Sequence, residues 1–213
     1  MTRIARKLAA AACGLFLLGS LTGCTSVPDS DTGTGQGMDL DRDELSEMDL
    51  ADFYSEETGY SFRGVSWGST EEETAEALGY PLGNRTSFNS GMVYAYYPEE
   101  AAALILGRLC TNVELAFDSE GELYSVTYQY MAWDDMDPEG LDSFVAELVE
   151  EFDGLYGENT ADEELLELNA GTMTSTIYKW EEEIDGERIS SLQVAVSSVS
   201  DQTGMVVVGV MCY

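Results

Sequence analysis

The chain has 213 residues, 44% of them hydrophobic, with 41 acidic residues against 9 basic ones, no histidine, and a formal net charge of −32. That hydrophobic share excludes disorder throughout, and the length suits one domain plus a tail. The acidity excludes a nucleic-acid partner and a basic membrane-surface helix, because a field of this sign repels phosphate; a basic protein, a cationic peptide or a divalent metal is what it favours.

The first element is an export leader. Met1–Lys7 carries Arg3, Arg6 and Lys7 and no acid, and 8–18 is a short apolar run, too short to span a bilayer. Leu21-Thr22-Gly23-Cys24 follows at once. This tetrapeptide resembles the lipobox of bacterial lipoproteins. The resemblance implies cleavage before Cys24, a diacylglycerol and palmitate-type anchor on its sulfur, and an extracytoplasmic protein held on the cell membrane or outer membrane. Two acyl chains give the stable anchoring that one does not. Loss of the leader would leave 6 basic against 41 acidic residues, a net of −35.

Residues 24–57 read as a lipidated, flexible, acidic tether, centred on Thr32-Gly33-Thr34-Gly35-Gln36-Gly37. Asp39, Asp41 and Asp43 open like a calcium loop, but Glu44 stands where the sharp turn needs glycine and Leu50 where the bidentate acid belongs. The stretch therefore reads as solvated acid, and no metal or other cofactor is expected.

Residues 58–213 read as an α+β globular domain. Ser61–Ser66 reads as a short strand. Ser69 and Thr70, each with a glutamate three residues on, predict a capped helix over 71–78 that stops at Gly79. Strands are predicted at 92–97, 103–117 and 122–131, the last two joined by the turn Asp118-Ser119-Glu120-Gly121. Asp137 and Pro138 open a second helix, with Leu141, Phe144, Val145, Leu148, Phe152, Leu155 and Tyr156 on one face and Gly157 at its end. Strands at 173–183, 188–198 and 204–213 follow, with Asp185-Gly186 as a two-residue hairpin turn. The order helix, three strands, helix, three strands predicts two diverged units forming one antiparallel sheet with both helices packed on one face.

Phe62-Arg63-Gly64-Val65-Ser66-Trp67-Gly68-Ser69-Thr70 and then Leu78-Gly79-Tyr80-Pro81 resemble the opening of SmpA/OmlA-like lipoproteins of outer-membrane assembly, with Thr74 where an apolar residue is usual. The doubled order of elements is similar to that of β-lactamase-inhibitor-protein-like domains. Both resemblances imply a non-enzymatic, protein-binding role, and neither carries a functional residue over.

Catalytic residues are not expected. Without histidine there are no imidazole triads or imidazole metal sites. The acid runs Asp134, Asp135, Asp137 and Glu181, Glu182, Glu183 fall at a helix start and a turn, where acids are ordinary. The candidate binding face is aromatic: Tyr94 and Tyr96, with Tyr124, Tyr128 and Tyr130 sharing one side of their strand, and Trp133 beyond it. The same face can also serve as a half-buried layer under a helix. Cys110 is expected beside Asn112 and Glu114, and Cys212 beside Val206, Val208 and Val210, on opposite faces of the sheet and so unbridged. The sequence thus favours a lipid-anchored, non-enzymatic protein-binding or envelope-assembly module. The alternative is a metal-dependent protein or hydrolase working through acids alone.

Overall fold

The computed structural model describes residues 46–79, 81–88, 91–96, 103–110, 112–131, 137–168, 171–199 and 202–213. It is a sheet-rich α+β fold with two helices, and its strands are mostly antiparallel.

The stretch 46–57, expected in the tether, belongs to a compact unit running Asp43–Cys212. Strand β1 (Ser46–Glu47) pairs in parallel with β6 (Ala103–Ile105). A 3-10 turn, Leu50–Phe53, follows, capped by the Asp49 carboxylate, which accepts from Ala51 N at 3.0 Å. Its two apolar residues explain the docking. Leu50 is buried, and Phe53 is 1% exposed with its ring edge-on to Tyr128 and Phe152 at 6.1 and 5.7 Å. Strands β2 (Tyr54–Ser55) and β3 (Gly59–Tyr60) form a two-stranded ribbon laid on β11 (Gly171–Ile184) and β12 (Arg188–Val199). Tyr60 N donates to Ser190 Oγ at 3.0 Å. Gly59 is required there: its φ is +65°, and a Cβ would stand 2.2 Å from Ser190 Oγ.

Ser61–Ser66 is not a strand. Arg63 and Gly64 both have positive φ and close a tight turn between the bridged Phe62 and Val65. Helix α1 (Glu71–Leu78) forms where expected, and Thr70 rather than Ser69 is its cap. Thr70 N donates to Glu73 at 2.9 Å while Thr70 Oγ1 accepts from Glu73 N at 3.3 Å. The Thr70 backbone and hydroxyl hydrogen bonds hold the Glu73 carboxyl below its usual range. Helix α2 (Pro138–Tyr156) follows the predicted pattern from Asp137 through Phe152. Leu155, assigned to its apolar face, is instead 47% exposed.

The remaining strands are β4 Asn84–Phe88, β5 Gly91–Tyr96, β7 Arg108–Leu109, β8 Asn112–Phe117, β9 Leu123–Met131, β10 Thr160–Leu168 and β13 Gln202–Cys212. Eight strands make the main sheet in the order β10-β11-β12-β13-β9-β8-β5-β4. Two small sheets stand apart, β1-β6-β7 and β2-β3. The expectation of one sheet is corrected accordingly, and four strands of the main sheet follow each helix instead of three. The strand expected over 103–117 is broken because Leu106 and Gly107 take positive φ and turn the chain. The break resets which side chains face inward. Cys110 joins the core with Val113 and Leu115, although alternation from Glu114 places it outward.

The cysteines are free as expected, for a different reason. Both belong to the core side. Cys110 lies beside Tyr130, and Tyr130 pairs with Val206. Cys212 is six residues further along β13, on the order of 20 Å away at the strand rise, far beyond bridging reach. Burial pushes the Cys110 thiol up to about 12. Thiol counting should therefore find no disulfide between them, and Cys110 should react only after unfolding. Rapid labelling of Cys110 in the native protein would contradict its burial.

Candidate functional site

Two of the tyrosines singled out from sequence, Tyr128 and Tyr130, do not lie on an outer face. Tyr128 and Tyr130 are fully buried. Tyr130 sits 4.7 Å from the Phe144 ring of α2, and Tyr128 lies against Phe53 and Phe62. Desolvation pushes the Tyr130 hydroxyl well above its ordinary range, so it stays neutral. Tyr124 is half-buried. Tyr94 and Tyr96 lie in β5, opposite Leu115 and Val113 of β8. Cys24 and Trp133 lie outside the described residues. The aromatic strand face is thus the layer under α2. It read as a binding face because a half-buried layer and a binding surface have the same tyrosine-rich alternation.

A second aromatic group forms where the 46–60 segment meets the end of α2. The rings of Tyr54, Tyr60 and Tyr156 lie 5.3–6.1 Å apart, and Tyr156 donates to the Leu50 carbonyl at 2.5 Å. The Glu182 carboxylate accepts from Tyr54, which raises that phenol. Burial, then the Glu182 charge, pushes Tyr60 up to about 12. These rings touch one another, so no cation fits between them as in an aromatic cage. The hydroxyl chain Ser55, Thr58, Ser61 (2.6 and 2.9 Å) has no general base in it and can orient only itself.

The layer that sequence reading missed is the other side of the main sheet. Pairing register places Ser125, Thr127 and Gln129 of β9, Met205, Val207, Gly209 and Met211 of β13, and Ser191, Gln193, Ala195 and Ser197 of β12 there together. All eleven are buried, from Ser191 at 0% exposure to Gln129 at 9%. Helix α2 packs on the opposite side through Phe144 and Phe152, as do Phe53 and Tyr60. Gln193 Nε2 reaches Ser191 Oγ at 3.0 Å and the Met211 sulfur at 3.3 Å, so its amide lies along the strands. Gly209 keeps the centre flat, since a Cβ there would meet the Thr127 methyl at 3.2 Å. Its signal was in the sequence: from 189 to 213 the only charged residue is Asp201.

Among the described residues no group of three or more Cys, Asp or Glu side chains is placed to hold a metal ion. A chelator should leave the melting temperature unchanged; a fall of several degrees would show a bound ion supporting the fold. No family model, curated protein or solved structure matches the chain.

Proposed function

We propose that this chain is a lipid-anchored, extracytoplasmic lipoprotein acting as a non-enzymatic protein-binding or envelope-assembly module. The observation that carries the binding role is the charge-free side of β9, β13 and β12. In a chain with 41 acids, eleven neighbouring positions there carry none, and all eleven are shielded from water, so this side is built to be covered. The lack of charge together with Met205 and Met211 suits packing against another surface, since charged residues are depleted and methionine is enriched at interface centres. The leader and Leu21-Thr22-Gly23-Cys24 supply the anchored location. We further read the fold as two diverged helix-plus-strand units. In support, each helix precedes four strands of the main sheet, and the last strand of each set, β9 and β13, pair antiparallel with each other.

A photo-crosslinker at position 127 or 193, in native membranes, tests the binding role. Cross-links to a second protein are expected there and not from position 147 on the exposed side of α2. Products confined to the chain itself, or none, would overturn it.

A further inference from the structure

We propose that the outer edge of β10 is a docking edge for an extended, cationic segment of a partner protein, which rests on the protein-binding reading above. The main sheet ends at β10 on one side and β4 on the other. Strand β10 pairs with β11 without a break from Thr160↔Lys179 to Leu168↔Gly171. Among the described residues nothing pairs with its outer edge. The strand contains no proline and no bulge, two devices that commonly blunt an open edge. Thr160, Ala161, Asp162 and Glu163 are all exposed. The backbone thus offers a nine-residue ladder to an added strand.

Charge selects the strand that fits. Asp162, Glu163, Glu164 and Glu167 lie in β10, with no basic residue among them. By parity Asp162 and Glu163 fall on opposite faces. Lys179 engages Asp162, at 3.0 Å. An incoming strand meets acid on both faces. Opposite charges directly across a strand pair are favourable and like charges unfavourable. The edge therefore rejects a second β10 and accepts lysine or arginine at alternate positions. The other edge has neither property: β4 is five residues long and carries Arg85 and no acid.

Hydrogen exchange of the full chain in detergent, with a nine-residue alternating lysine–valine peptide and its glutamate–valine counterpart, tests this. The lysine peptide should slow β10 amides tenfold or more, and added salt should weaken the effect. The glutamate peptide should do nothing. The double variant Glu163→Lys, Glu164→Lys, checked for an unchanged melting curve, should reverse the preference. Equal protection by both peptides, protection centred on β4, no protection at all, or self-association without peptide would each overturn the proposal. The double variant in native membranes separates the two readings. If cross-links from position 193 persist in full, the edge proposal fails and the binding module stands. If the unmodified chain gives no cross-links, the binding reading itself fails.

Discussion

Phe53→Ala should destabilise the fold by about 3–5 kcal/mol, lowering the melting temperature by on the order of 10 °C. Phe53 is 1% exposed and stands between the Tyr128 and Phe152 rings, in edge-on contact with both. Its removal takes a large apolar side chain from the core. The cavity would be lined by groups fixed on two elements, β9 and α2, which cannot both close over it. The neighbouring anchors cannot compensate. The Tyr156 hydroxyl bond to Leu50 and the Glu47 carboxylate, which accepts from Gly107 N at 3.0 Å, are both directed at backbone groups and fill no volume. Phe53→Leu should recover most of the loss. The adjacent Asp52 is exposed, so its charge plays no part in the effect. Urea unfolding of the two variants is the measurement. A cost below about 1 kcal/mol for the alanine variant would mean that 46–53 is not part of the cooperative core.

Helices were legible because their signals are local. Thr70 with Glu73, and Asp137 with Pro138, each act within one turn, and the structure uses both. The Asp185-Gly186 turn was legible for the same reason, with both residues at positive φ. Strands β4 and β10 were not. Asn84–Phe88 is short and polar, and Thr160–Leu168 has acids at successive positions in its sequence, so neither has the alternation of a half-buried strand. Edge strands gain less from side-chain burial and more from backbone pairing, which leaves no trace in hydropathy. The 46–57 segment was misread because Leu50 and Phe53 are isolated among acids. Two apolar residues suffice when each enters an existing groove, which depends on residues some hundred positions away.

The candidate face failed and succeeded for one reason. Alternation correctly assigns Tyr128 and Tyr130 to one side of β9, but it cannot say which side α2 will cover. Helix α2 covers the aromatic side, where large rings fill the space beneath Phe144 and Phe152. The short side chains Ser125, Thr127 and Gln129 are left to the other. Size therefore separates the two sides better than polarity does. That side of β12 and β13 has no aromatic residue, while the α2 side of the sheet holds Tyr128, Tyr130 and Trp180.

Cys24→Ser should move the protein out of the carbonate-resistant membrane fraction or leave it as an uncut precursor. In the chemistry that the lipobox resemblance implies, acylation of the thiol precedes cleavage. A serine hydroxyl cannot replace the thiol, so both steps stop together. The apolar stretch 8–18 is shorter than the ~20 residues of a spanning helix, and no helix among the described residues is long and apolar enough to cross a membrane. The net charge of the remaining chain, −35, repels anionic headgroups. Two acyl chains bury enough methylenes for stable attachment, and their loss leaves no comparable apolar or electrostatic term to replace them. Intact-mass measurement of the membrane fraction checks the premise directly. A mature N-terminus at Cys24, heavier by at least two acyl chains, is the expected result. An unmodified Cys24 in that fraction, or a serine variant that is cut and retained like the unmodified chain, would refute the anchor.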